Sequence, residues 1–172
     1  NEVGVVKTLE DMEAALLSDN FWDVKVVQDL AYTSTINPTY LVYLAAQVAN
    51  NDLSLLSNNI TVRDLIEIAG DVHHIFPREY LKSQGLTRSD YNQVANYIYT
   101  QTEINIQIGK KAPNEYLDYV QNVQCQGGET KYGGIVSIEE LKYNLCQDCC
   151  LPEDSATMDV SNYQDFLVRR RA

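Results

Sequence analysis

The chain has 172 residues, 45% of them apolar and 22% charged, with only 8 Gly and 4 Pro. That composition excludes collagen-like, low-complexity and largely disordered chains, and the length suffices for one buried core. Twenty-four acidic against 13 basic residues give a net charge of −11, which excludes coating nucleic acid by bulk charge.

In chain order, Leu9, Met12, Ala15 and Leu16 recur at helical spacing and predict a first helix. Asn37-Pro38 predicts the start of a second, with Asn37 as N-cap, Pro38 at the first helical position and Leu41, Leu44, Ala45 and Val48 as its apolar stripe. Thr61 followed by Asp64 is a capping-box variant leading into Leu65, Ile66 and Ile68, with Gly70 as the stop. These helices are expected to build core scaffold. After Gly70 the period changes: residues 72–76 are β-prone and end at Pro77, residues 78–84 suit a short helix closed by Gly85, and residues 87–95 suit another. Tyr97, Ile98, Tyr99 and Thr100 predict a second strand, followed by helical turns over 103–108 and a helix opened by Pro113. Gly127-Gly128 and Gly133-Gly134 bracket an expected exposed loop, Ser137 to Glu140 is a further capping box, and a final helix runs from Tyr163. That helix reads as cut in mid-pattern, and the chain opens with Asn and no basic-then-apolar leader, so a piece of a longer protein is expected. No run approaches the ~18–20 apolar residues of a membrane span, and no membrane partner is expected.

Charge is unevenly placed. Residues 71–111 hold five basic side chains (Arg78, Lys82, Arg88, Lys110, Lys111) and four acidic ones (Asp71, Glu79, Asp90, Glu103), so this stretch is +1 within an acidic chain. A phosphate-binding middle therefore stays open. The cysteines are Cys125, Cys146, Cys149 and Cys150. Cys146-x-x-Cys149 has the spacing of half a zinc site, but no histidine lies near it in sequence, so reduced thiols are expected and a structural zinc at Cys146 and Cys149 is not.

The two histidines of the chain are adjacent, His73 and His74. Imidazole titrates near neutrality and ligates metals, so one of a pair can hold a cation while the other moves a proton. The run His73-His74-Ile75-Phe76-Pro77, then Asn96, then Asn105, resembles the motif of the HNH (His-Me finger, ββα-metal) nucleases. The stretch from Asn105 through Pro113 to Leu117 narrows the likeness to the HNH part of GmrSD-type, modification-dependent restriction enzymes of bacterial phage defence. Residues 37–121 carry the resemblance; Tyr163-x-x-Phe166-Leu167-x-x-Arg170-Arg171 matches it weakly.

The resemblance implies a mainly helical α+β fold with a ββα-metal element embedded in a helical domain: a lead-in over 1–70, the nuclease element over 71–122, and a loop with C-terminal helices over 123–172 in the same globular unit. It implies a cytoplasmic bacterial DNA endonuclease. His74 would deprotonate the attacking water, Asn96 would hold the His74 ring in orientation, and His73 and Asn105 would ligate Mg²⁺, or Mn²⁺ in its place. The products would carry 5′-phosphate and 3′-hydroxyl ends. The partners would be DNA, possibly modified, and an N-terminal NTPase-like region of the full-length protein. A hard cation with two protein ligands keeps positions open for water and phosphate. His73 stands where many relatives carry Asp, a softer and uncharged ligand that favours Mn²⁺ or other transition metals, and Thr100 stands where relatives carry a bulkier apolar residue. Asp71 reads as a turn residue rather than a partner of a histidine. Arg78, Lys82, Lys110 and Lys111 are candidates for the DNA backbone, or ordinary solvated surface. Strict strand alternation puts His73 and His74 on opposite faces unless the chain bends near Pro77. The alternatives are a catalytically silent HNH-like module binding DNA or protein, and a helical interaction domain with a structural histidine pair.

Overall fold

A computed structural model of the chain describes residues 2–31, 38–70 and 72–172. Asn37, expected as an N-cap, and Asp71, expected in a turn, lie outside them. The architecture is α+β and mainly helical. The first helix, α1 (Glu2–Leu16), is followed by π-helical turns over Phe21–Val26 that run into α2 (Val27–Asp29). Next come α3 (Pro38–Asn50) and α4 (Val62–Glu67), then strand β1 (Val72–His74), α5 (Arg78–Ser83) and α6 (Arg88–Tyr91). Strand β2 (Tyr97–Tyr99), α7 (Thr102–Ile108), α8 (Pro113–Asn122), α9 (Ile138–Tyr143) and α10 (Tyr163–Arg171) complete the order. Among the described residues no helix is long and apolar enough to cross a membrane.

Local chemistry sets several boundaries. Thr61 accepts from the Asp64 amide at 3.1 Å while the Asp64 carboxylate takes the Thr61 amide at 2.8 Å, the reciprocal cap read from the sequence. The stop of α4 differs in detail: Ala69, not Gly70, takes the left-handed conformation (φ 54°), and the Gly70 amide bonds back to the Leu65 carbonyl at 2.7 Å. Helix α6 ends at Tyr91, earlier than the 87–95 expected, because a short 3₁₀ turn over Val94–Asn96 takes the chain into β2.

Two expectations about packing are corrected. The apolar residues of α1 do not build core: Leu9 is 60% and Leu16 64% exposed. In α3 the inward face is Tyr40, Leu44 and Gln47, with Leu41 and Ala45 outside, because the Gln47 amide finds a buried acceptor in the Asp148 carbonyl at 2.9 Å. The main core runs from Leu55 and Leu56 through Ile75, Phe76 and Ile104 to Tyr116, Leu145 and Phe166, so side chains from all three stretches of the sequence fill it.

The bracketed loop is less free than its glycines suggest. Glu129, Thr130 and Lys131 are exposed, but Tyr132 and Ile135 are buried. Buried Gln124 donates to their carbonyls at 3.0 and 2.7 Å and accepts from the amides of Lys131 and Tyr132. Gly133 (φ 64°) lies against the Leu56 carbonyl with no room for a Cβ, so any other residue would push the loop off the core.

Candidate active site

The site is built on how the chain leaves β1. The strands pair antiparallel, with Val72 opposite Tyr99, His73 opposite Ile98 and His74 opposite Tyr97. Beyond His74 the ladder stops and every backbone polar group finds another partner, as a buried segment requires. The Ile75 amide donates to the Asn96 carbonyl at 2.9 Å, and the Tyr116 hydroxyl donates to the Ile75 carbonyl at 2.9 Å. The Phe76 amide donates to Asn96 Oδ1 at 2.9 Å, while Asn96 Nδ2 donates to the carbonyls of Phe76 (3.2 Å) and Tyr91 (3.1 Å). The Phe76 ring packs between Tyr163 and Phe166 of α10, with centroids 5.1 and 4.8 Å away. The weakly matching C-terminal pattern thus backs the histidine loop. Arg170 adds to this, donating to the carbonyls of Ala95 and Tyr97 at 2.8 and 2.7 Å, to Cys149 O at 3.2 Å and to the Tyr43 hydroxyl at 3.3 Å.

This frame opens a cleft of about 410 Å³ lined by His73, His74 and Asn105, with Pro77, Arg78 and Glu79 at its side. Consecutive strand residues alternate faces, yet both histidines reach this cleft; β1 is only three residues long and the chain turns away at Pro77 into α5. Asn105 comes from the middle of α7, which ends at Gly109 with φ 60°.

His74 is half-buried, and its ring is held on three sides. Its Nε2 lies 3.1 Å from Asn92 Oδ1, and the rings of Tyr97 and Tyr91 meet it edge-on at 5.2 and 6.3 Å. Burial pushes its pKa below the ordinary imidazole value; the Asn92 contact opposes this, and the nearby charges of Arg78 and His73 add to it. The imidazole is therefore neutral at pH 7, the form that accepts a proton.

Asn96 is fully buried and bonds to the Phe76 and Tyr91 backbone; the carboxamide touching the His74 ring is that of Asn92. Sequence reading missed Asn92, Tyr91 and Tyr116. Asn92 sits two residues past the Thr87–Asp90 capping box, one Asn among several, with nothing in the pattern to single it out. The four candidate cations differ. Arg78 and Lys82 share Glu79 at 3.1 and 3.0 Å, Lys110 is exposed, and Lys111 is committed to the end of α7, donating to the Gln107 and Ile108 carbonyls at 3.1 and 3.4 Å.

The cysteines diverge. Cys149 is fully buried in the core, Cys146 is half-buried beside a separate groove, and Cys150 is exposed. Desolvation, complete at Cys149 and partial at Cys146 and Cys150, pushes all three thiols up, so none is a ready thiolate. Among the described residues no three His, Cys, Asp or Glu side chains gather into a metal-holding group. A cation at the cleft would therefore depend on mixed donors: His73 and Asn105 both line it, and with His73 Nε2 buried, Nδ1 is the nitrogen of that ring left to face a cation. An imidazole nitrogen and a carboxamide oxygen are a donor pair that suits a divalent cation keeping positions for water and phosphate.

No family model and no solved structure matches the chain. An uncharacterized protein of Methanocaldococcus jannaschii is 28% identical over 69 residues, which is 40% of this chain and 12% of that protein. The chain thus matches only a small part of a much longer relative.

Proposed function

We propose that the cleft hydrolyses DNA phosphodiester bonds, in the manner of an HNH endonuclease within a restriction or phage-defence protein. The observation that carries this reading is the convergence of His73, His74 and Asn105 on one cleft, with His74 neutral. The succession β1, β2, α7, with the histidines on the first strand and Asn105 on the helix, supports it.

In this mechanism His74 takes a proton from a water molecule. The water oxygen attacks phosphorus, the bond from phosphorus to the 3′ oxygen breaks, and that oxygen is protonated from solvent. A divalent cation held by His73 and Asn105 supplies Lewis acidity toward the phosphate when bound. Arg78 at the side of the cleft and exposed Lys110 next to cleft-lining Gly109 would meet the DNA backbone, Arg78 leaving Glu79 as phosphate replaces the carboxylate. Modified DNA as substrate and an NTPase-like region as partner belong to the same proposal.

The test is plasmid nicking with Mg²⁺ or Mn²⁺ by the wild-type chain and His74→Ala. Nicking by the wild type and its loss in the variant support the reading; equal nicking overturns it. A silent DNA- or protein-binding module is the second reading, favoured by one observation: Glu79 engages both Arg78 and Lys82 and offsets one of their two charges beside the cleft. It predicts binding without cleavage.

A further inference from the structure

A neutral imidazole has one nitrogen with a proton and one with a lone pair, and only the second can act as a base. Which is which depends on the partner of the ring. Among the described residues, the hydrogen-bond partner of the His74 ring is Asn92 Oδ1, 3.1 Å from Nε2. A carboxamide oxygen accepts and cannot donate, so this contact exists only when Nε2 carries the proton.

The contact is built in. Asn96 Nδ2 donates both to the Phe76 carbonyl, two residues beyond His74, and to the Tyr91 carbonyl, one residue before Asn92. One buried side chain therefore sets the spacing between the segment bearing the imidazole and the segment bearing its partner. The Asn92 amide is tied to the Arg88 carbonyl at 3.1 Å, which ends α6 at this point. Tyr97 and Tyr91 limit how far the ring can turn, with edge-on centroids at 5.2 and 6.3 Å.

We propose that Asn92 is a positioning residue that holds His74 in the Nε2–H tautomer, leaving Nδ1 as the basic nitrogen for the cleft. The role of Nδ1 in hydrolysis rests on the endonuclease reading; the tautomer does not. A flipped Asn92, donating its NH₂ to Nε2, would give the opposite tautomer and place the proton on Nδ1, so the two arrangements are exclusive and observable.

The test uses two-bond ¹H–¹⁵N spectra of the intact chain at pH 8. With two histidines in the sequence, two ring systems appear, and His74→Gln assigns them. The expected result is a dominant Nε2–H tautomer for His74. Asn92→Ala should return the ring to a mixture and lower kcat by about 10- to 100-fold with little change in KM. Asn92→Asp, whose carboxylate accepts the same bond, should keep the tautomer and move the acid limb of the pH–rate profile upward. It also stands in if the alanine variant fails to fold. An Nδ1–H tautomer in the wild type, or an unchanged tautomer in Asn92→Ala, overturns the proposal. Tautomer shifts as described in a chain that never nicks DNA would leave the positioning role standing and sink the nuclease reading instead.

Discussion

The Asn96 carboxamide and the Phe76 peptide bond to each other in both directions, Oδ1 to the amide at 2.9 Å and Nδ2 to the carbonyl at 3.2 Å, with Asn96 completely buried. An amide side chain here does the work of a strand neighbour where the ladder has run out. It lets the chain turn from β1 toward Pro77 without stranding a polar group in the core. The cleft stands on that turn.

Asn96→Ala should therefore destabilise the chain by about 3 kcal/mol, since it leaves the Phe76 amide and two carbonyls buried without partners. Asn96→Asp keeps an acceptor for the amide but faces the Phe76 and Tyr91 carbonyls with a carboxylate, and should be no better. Urea denaturation measures both. A loss below about 0.5 kcal/mol for alanine would mean that the loop holds its shape by other means.

Arg170 is predicted to be structural rather than DNA-facing. It donates to three backbone carbonyls and a tyrosine hydroxyl from separate stretches of the chain, and among the described residues no carboxylate pairs with it. Arg170→Lys keeps the charge but not the planar fork. Both it and Arg170→Ala should lower the melting temperature by several degrees, corresponding to about 2 kcal/mol. A variant that melts like wild type but binds DNA more weakly would reverse the assignment.

How much of this could be read beforehand depends on range. Reciprocal caps are local, so Thr61 with Asp64 announced α4, and Pro113 announced α8. The adjacency of His73 and His74 drew attention to the segment that lines the cleft with Asn105, and Asn96 to the turn behind it. Contacts between distant segments left no pattern. Tyr116 reaching the Ile75 carbonyl, Gln124 folding the glycine-bracketed loop inward and Asn92 reaching Nε2 of His74 each depend on how separate stretches pack. Periodicity also misled in α1, because an amphipathic stripe says which residues share a face, not whether anything covers it.

The pH dependence of His74 has a definite sign. Its folded-state pKa lies below the ordinary value near 6.5, chiefly through burial, so the unfolded chain takes up the proton first as pH falls. Stability from this group is constant above about pH 7 and erodes as pH drops through about 6.5. Comparing urea denaturation of wild type and His74→Gln at pH 7.5 and 5.5 isolates that slope. If the cleft hydrolyses phosphodiesters as proposed, with the neutral ring as base, the acid limb of kcat/KM should fall below pH 6.5. An acid limb well above that value would point to a different proton acceptor.

Asp52 titrates the other way. Burial and the neighbouring Asp148 raise its pKa to about 6. The unfolded carboxyl ionises first as pH climbs, so this group costs stability from about pH 4 upward, fully above about pH 6. Asp52→Asn should stabilise the chain at pH 7 by roughly 1 kcal/mol, allowing for its partial solvation, and should change nothing at pH 3. Equal effects at both pH values would show that the substitution acts through packing rather than charge.

Neighbouring lysines at the end of α7 should separate stability from DNA contact. Lys111 donates to the Gln107 and Ile108 carbonyls, where a cation also complements the helix terminus. Lys111→Ala should cost about 0.5–1 kcal/mol of stability. Lys110 is exposed beside the cleft-lining Gly109. Lys110→Ala should leave stability unchanged while weakening DNA binding and lowering the salt slope of log K by about 1. Fluorescence anisotropy across a salt series, read beside thermal melts, tests the pair. If Lys110→Ala binds DNA as the wild type does at every salt concentration, the strand does not pass this end of the cleft.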